Sequence, residues 1–357
     1  MFGLENIHQT HLPNDIIRSY LNLYSLIGRN DDFLSTLNED LPLFIEATIR
    51  EDVYALLQDL DIQIPEQRLK QLLLKDIQPR NRNETLCVRL KTIFRKMHSE
   101  IDDFELILYE ITSLAQMLYQ DIGPNDDWQY AKVIRTPSKD KKEINLLTSS
   151  FASKRDYLEQ LIVLYHKAID KHQFEKGYAA THFYLDFIAL KPFNKHNETL
   201  ALLVLYLLLL ASDYRSFHLD AFFPALFAQK QAFLKARQEA YVNYSEGVST
   251  AIPLHRFLLD ITTKSYQAAQ HMIRNYTYDH QHNKSDYLEN TILRLNDVFT
   301  KEDIRLKHPT VSDSTINRTL KRLRDEDKIR PLGTGRSAKW MKVPQKPQKT
   351  EQITFKF

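Results

Sequence analysis

Between Leu200 and Ala211 the chain reads LALLVLYLLLLA, with no glycine, no proline and no charge. A run this rich in leucine favours helix over strand. It falls short of the roughly 18 apolar residues that argue for a membrane span. A helix that is apolar on every side, yet too short to cross a bilayer, belongs at the centre of a globular fold. Immediately before it lies the polar turn Lys191-Pro192-Phe193-Asn194-Lys195-His196-Asn197-Glu198-Thr199, itself preceded by an apolar segment ending at Leu190. Two core helices joined by a solvent-facing turn are therefore expected. The first backbone N–H groups of the second helix would point outward, where an anion could meet them.

The rest of the chain fits a mainly helical protein. Only 7 of 357 residues are glycine, and β-branched runs are scarce. Amphipathic spacing predicts helices from Pro13 towards Gly28, from about Pro42, from Pro65-Glu66, over Leu86–Met97 and over Phe104–Leu118. Tyr130–Arg135 and Ile144–Leu147 are short and extended in character, flanking a lysine-rich tip, and suggest a small hairpin. Further helices are expected at Lys154–Ile169, Phe174–Leu190, Ala221–Ala240 and Leu254–Tyr276. The single cysteine, Cys87, excludes a disulfide framework and a cysteine-built zinc site. His280 and His282 lack the companion ligands of a metal site, so none is expected. With neither a secretory leader nor a membrane span in the sequence, a cytoplasmic location and no membrane partner are expected.

The net charge of +2 conceals a division. From Lys284 onward the balance is +7, and the preceding residues carry −5. A basic C-terminal piece on a weakly acidic body points to an anionic partner for that piece. Its grammar is regular. A helix at Tyr287–Leu295 leads to Thr300, an N-cap with Asp303 three residues on, and then Ser312 caps a helix at Asp313–Asp325. Two strands, Ile329–Leu332 and Lys339–Val343, flank the turn Gly333-Thr334-Gly335-Arg336-Ser337. Three helices followed by a two-stranded ribbon predict a winged helix-turn-helix. Such a module binds DNA through its last helix. On that helix Ser314 would be presented to solvent, Thr315, Asn317 and Arg318 would face base edges, and Lys321, Arg322, Arg336 and Lys339 would meet phosphates.

The stretch Ala179–Phe193, together with the leucine-rich helix after it, resembles the centre of a Fic domain, whose motif HPFxxGNGRxxR, in one-letter form, lies between two such helices. Pro192, Phe193 and Asn197 stand where that family has Pro, Phe and Asn. Family members are typically adenylyltransferases that move AMP from ATP onto a protein hydroxyl. The departures weigh against that activity here. Lys191 stands at the catalytic histidine, Lys195 at the metal-binding acid, His196 and Glu198 at two glycines, and Thr199 and Leu202 at two arginines. A lysine would need strong desolvation to act as a base near neutral pH, and a cation cannot hold Mg²⁺. Side chains at 196 and 198 would obstruct the approach of phosphate to backbone amides. Glu51, in Glu46–Asp52, is the candidate for the family's inhibitory glutamate.

The resemblance implies a mainly α architecture: a helical region over 1–103, a Fic-like core with a small flap hairpin over 104–277, and a linker over 278–285. A winged helix over 286–344 and a tail over 345–357 complete it. The expected function is a DNA-binding regulator whose degenerate core serves as a scaffold, sensor or dimerising body, with DNA as partner, a protein partner or second copy for the body, and no cofactor. The alternative is a nucleotide or phosphate transferase of altered chemistry that uses ATP and Mg²⁺ through Lys191 and His196.

Overall fold

The computed structural model describes residues 3–9, 11–122, 128–132, 153–242, 244, 250–281, 284–308, 311–333 and 339–343. The chain divides into two compact units, one of residues 1–38 with 48–270 and one of 39–47 with 271–357.

In the first unit, helix α1 (Asn14–Ile27) is followed by α2 (Asn30–Leu37), α3 (Leu41–Asp59, shared with the second unit), α4 (Glu66–Leu74), α5 (Arg82–Ser99) and α6 (Leu108–Tyr119). After the segment 133–152, which contains most of the expected hairpin and lies outside the described residues, come α7 (Lys154–Ile169), α8 (Lys176–Leu190) and α9 (Asn197–Leu210). The short α2 was not foreseen. The leucine-rich run forms α9 as expected, and every residue from Thr199 to Leu210 is buried. α8 is nearly as enclosed, with only Lys176 and Ala189 outside the buried set. These two helices pack on each other, with α7 and the N-terminal 3₁₀ segment Gly3–Gln9 against α8 and α6 against α9. At 14 residues, α9 spans about 21 Å, short of a hydrocarbon core of about 30 Å. No helix among the described residues is long and apolar enough to cross a membrane.

The stretch expected as one helix over Ala221–Ala240 is two, α10 (Phe222–Ala228) and α11 (Lys230–Ala240). The break falls at Gln229, whose φ of −116° and ψ of 29° leave the helical region. It lets Phe222 and Phe223 turn onto Tyr206 of α9, with ring centroids 5.6 and 5.7 Å apart. A long helix, α12 (Ile252–Gln281), runs on through residues 278–281, where the sequence predicts a linker. Polar composition alone does not stop a helix that meets no glycine or proline.

In the second unit, α13 (Lys284–Arg294), strand β1 (Val298–Phe299), α14 (Lys301–Lys307), α15 (Asp313–Asp325), β2 (Ile329–Pro331) and β3 (Trp340–Lys342) follow in order. The expected two-stranded ribbon is a three-stranded antiparallel sheet in the order β1-β3-β2. The extra strand pairs Phe299 with Trp340, a two-residue element too short for alternation to reveal. Both predicted caps form: Thr300 and Asp303 make a reciprocal capping box, and the Ser312 hydroxyl accepts from the Thr315 amide at 3.3 Å. Ile316, Leu320 and Leu323 of α15 join Ile292, Phe299 and Ile304 in one core.

Candidate functional site

The turn between α8 and α9 is built to hold one shape. Lys191 ends α8 in the left-handed region at φ 48°, and His196 precedes α9 at φ 61°. Asn197 closes the loop between them. Its side-chain oxygen accepts from the Phe193 amide at 2.9 Å, and its NH₂ donates to the Phe193 carbonyl at 2.7 Å. The outer strand-like segment clips on: the Ala131 amide donates to the Pro192 carbonyl, and the Asn194 amide to the Gln129 carbonyl, each at 2.9 Å. Tyr130 stacks on the buried Phe193 with centroids 5.1 Å apart. Lys154, at the start of α7, donates to the carbonyls of Leu190 and Lys191 at 2.9 and 3.1 Å. A cation thus serves the carbonyl end of α8, where the helix dipole favours it. Burial and then the neighbouring Lys191 hold the Lys154 ammonium below its usual pKa.

The side chains of the turn sort by burial. Pro192 and Phe193 are buried, while Lys191, Asn194, Lys195 and Glu198 are exposed. His196 and Asn197 lie between, and Thr199 and Leu202 are inside the core. The His196 ring stacks on Tyr119 of α6, with centroids 3.8 Å apart and planes 10° from parallel. Glu198 is ion-paired at 2.6 Å with Arg237 of α11, which also donates to the Tyr184 hydroxyl at 3.1 Å. The carboxylate at the head of α9 therefore has its own cation. Glu51 lies elsewhere on α3, where the charges beside it include Arg50, Asp52 and Asp220. Among the described residues, no group of three or more His, Cys, Asp or Glu is placed to hold a metal ion.

No sequence-family model matches the chain, and no curated protein matches it. Solved structures do. A Fic family protein from Desulfovibrio desulfuricans G20 superimposes with a TM-score of 0.50 at 13% identity, over 95% of this chain and 99% of that one. A Fic domain containing signaling protein from Bacteroides thetaiotaomicron VPI-5482 gives a TM-score of 0.54 at 16% identity, over 71% of this chain and 98% of that one. The chain has the Fic fold. Within a Fic fold the turn 191–199 is the stretch that the sequence resemblance aligns with the family motif, and it joins the two central helices. Arg237, Lys154 and Tyr119, which grip that turn, were not foreseen, because each reaches it from a distant helix and carries no local pattern.

The second candidate site is the outward face of α15. Ser314, Asn317, Arg318 and Lys321 are exposed, Thr315 is half-buried, and the opposite face is core. Among the described residues, Arg318 and Lys321 have no acidic partner. Arg322, expected at a phosphate, is instead paired with Glu289 of α13 at 2.7 Å and with Glu326 at 3.5 Å. Lys339 is exposed, and Arg336 lies outside the described residues.

Proposed function

We propose that the chain is a DNA-binding regulator in which the second unit is a winged helix and the Fic-fold body is a non-catalytic scaffold or sensor. The observation that carries this reading is the α15 face. It offers short polar groups at its N-terminal half and two unpaired cations, Arg318 and Lys321, one turn apart. Helices of this kind present their first turns to base edges while cations further on meet phosphates. The body supports the reading by what stands at its turn. Lys191, which stands at the family's catalytic histidine, is exposed. Glu198, held by Arg237, places negative charge where a triphosphate would need to sit.

Full-length protein should retard a mixed pool of short duplexes at low salt, and an Arg318→Ala/Lys321→Ala double variant should not. Incubation with labelled ATP and cell extract should leave every protein unlabelled. Label transfer that disappears in Lys191→Ala would replace this reading with a transferase of altered chemistry.

A further inference from the structure

Helix α7 turns Leu158, Leu161 and Tyr165 into the core and leaves its other side uncovered. That side carries Arg155, Glu159, Val163 and Lys167, spaced by four residues and all exposed. Val163 is 47% exposed, and two large apolar side chains at the start of α6, Ile107 at 42% and Tyr109 at 67%, are open as well. His166, three residues after Val163, donates from Nε2 to the Leu106 carbonyl at 2.7 Å, which ties the start of α6 to this part of α7. Among the described residues, neither Glu159 nor Lys167 has an ion-pair or hydrogen-bond partner. An acid and a base thus stand unpaired, one turn either side of an exposed apolar residue.

We propose that this face joins two copies of the chain, with their α7 helices antiparallel across a two-fold axis at Val163. The charge pattern selects a second copy as the occupant, because it is its own complement. Glu159 and Lys167 lie four residues either side of Val163. In the antiparallel pair each Glu159 therefore meets Lys167 of the second copy, and Val163 meets Val163. A parallel pair would instead set Glu159 on Glu159 and Lys167 on Lys167, which like-charge repulsion opposes. Packing the four-residue ridges of both helices together crosses them at about −50°. The helices then diverge beyond these turns, so Asp156 and Asp170, seven residues either side of Val163, stay apart across the axis. Ile107 and Tyr109 extend the apolar centre on one flank. So oblique a crossing makes a small interface, which is the class of weak, reversible dimers. α7 belongs to the first unit and the association involves no nucleic acid, so the inference is independent of the DNA-binding reading.

Sedimentation velocity of the full chain without DNA, over roughly 1–200 µM, tests it and should show a monomer–dimer equilibrium. Glu159→Lys sets lysine against Lys167, and Lys167→Glu sets glutamate against Glu159. Each variant should therefore self-associate more weakly, by about tenfold or more. An equimolar mixture of the two single variants should form a heterodimer, since each copy then supplies the charges that the other lacks. The double exchange Glu159→Lys/Lys167→Glu should recover the wild-type dimer. Both positions are exposed, and glutamate and lysine are comparable helix formers, so every variant should keep the wild-type circular dichroism spectrum. A wild-type chain that stays monomeric throughout would overturn the proposal. So would a mixture that forms no heterodimer, or single variants that dimerise like the wild type. A dimer lost instead in Leu21→Glu would overturn it too, moving the interface to α1, where Leu21 is 71% exposed.

Discussion

Asn197 shows how much a single side chain holds at the centre of this molecule. It pairs with both the amide and the carbonyl of Phe193, a residue whose ring is buried. Asn197→Ala would leave the Phe193 amide without its partner and free the loop. Urea denaturation should show a loss of about 1–3 kcal/mol. Gly177 is a second such point. A Cβ there would sit 2.4 Å from the Tyr214 hydroxyl and 3.1 Å from Glu175, so Gly177→Ala should destabilise by about 1–3 kcal/mol. Gly333→Ala should be near neutral, since a Cβ at that position meets nothing within 4 Å. Buried imidazoles add a dependence on pH. The Nδ1 atoms of His98 and His218 are 2.7 Å apart, so one must donate and the other accept, and a proton on both would drive them apart. Burial pushes His218 down to about 4, His182 to about 3 and His255 to about 3, and holds His98 well below its usual range.

At the level of elements, α15 holds Arg322 in ion pairs and carries Arg318 and Lys321 on its exposed face. Arg322 points back to Glu289, which also holds Lys328. The hydrogen bond from Lys328 lowers the Glu289 pKa, burial opposes it, and the charges of Lys328 and Arg322 keep it below its usual value. Arg322→Ala should therefore lower the melting temperature, whereas Arg318→Ala and Lys321→Ala should leave it unchanged and, under the proposed function, weaken DNA binding. The ion pair was hidden from sequence, because Glu289 and Arg322 are 33 residues apart. Much else was legible. The spacing of Ile316, Leu320 and Leu323 marked the buried face of α15, and Thr300 with Asp303 marked the start of α14. Leucine content alone placed α9 at the core. What escaped were features that depend on tertiary contacts. The two-residue β1 exists only through its pairing with β3, and the break at Gln229 coincides with two phenylalanines turning onto Tyr206. The turn itself could be read residue by residue, but its clamps, Arg237 and Lys154, could not.

For the whole molecule, the buried histidines set the direction of the acid response. The unfolded chain takes up a proton on each of His98, His182, His218 and His255 near pH 6.5, and the native chain takes them up only at lower pH. Stability should be complete above that value and fall as pH drops from about 6.5 towards 4. Asp186 and Asp220, pushed up to about 6 by burial, and Asp52, raised by burial, act in the opposite sense. With His308, lowered to about 4 by burial, and Glu51, raised by burial, five imidazoles outnumber four carboxyls, so the urea midpoint at pH 5 should lie below that at pH 7.

The proposed function, a non-catalytic body with a DNA-binding basic end, is tested most directly by one salt titration of duplex binding. Fluorescence anisotropy of a labelled duplex should give an affinity that falls steeply with salt, by a slope of about −0.9 for each phosphate neutralised. In the Arg318→Ala/Lys321→Ala variant, with its melting temperature unchanged, that slope should shrink by about 2. Absence of binding at low salt, or a slope that the double variant leaves unaltered, would contradict the account.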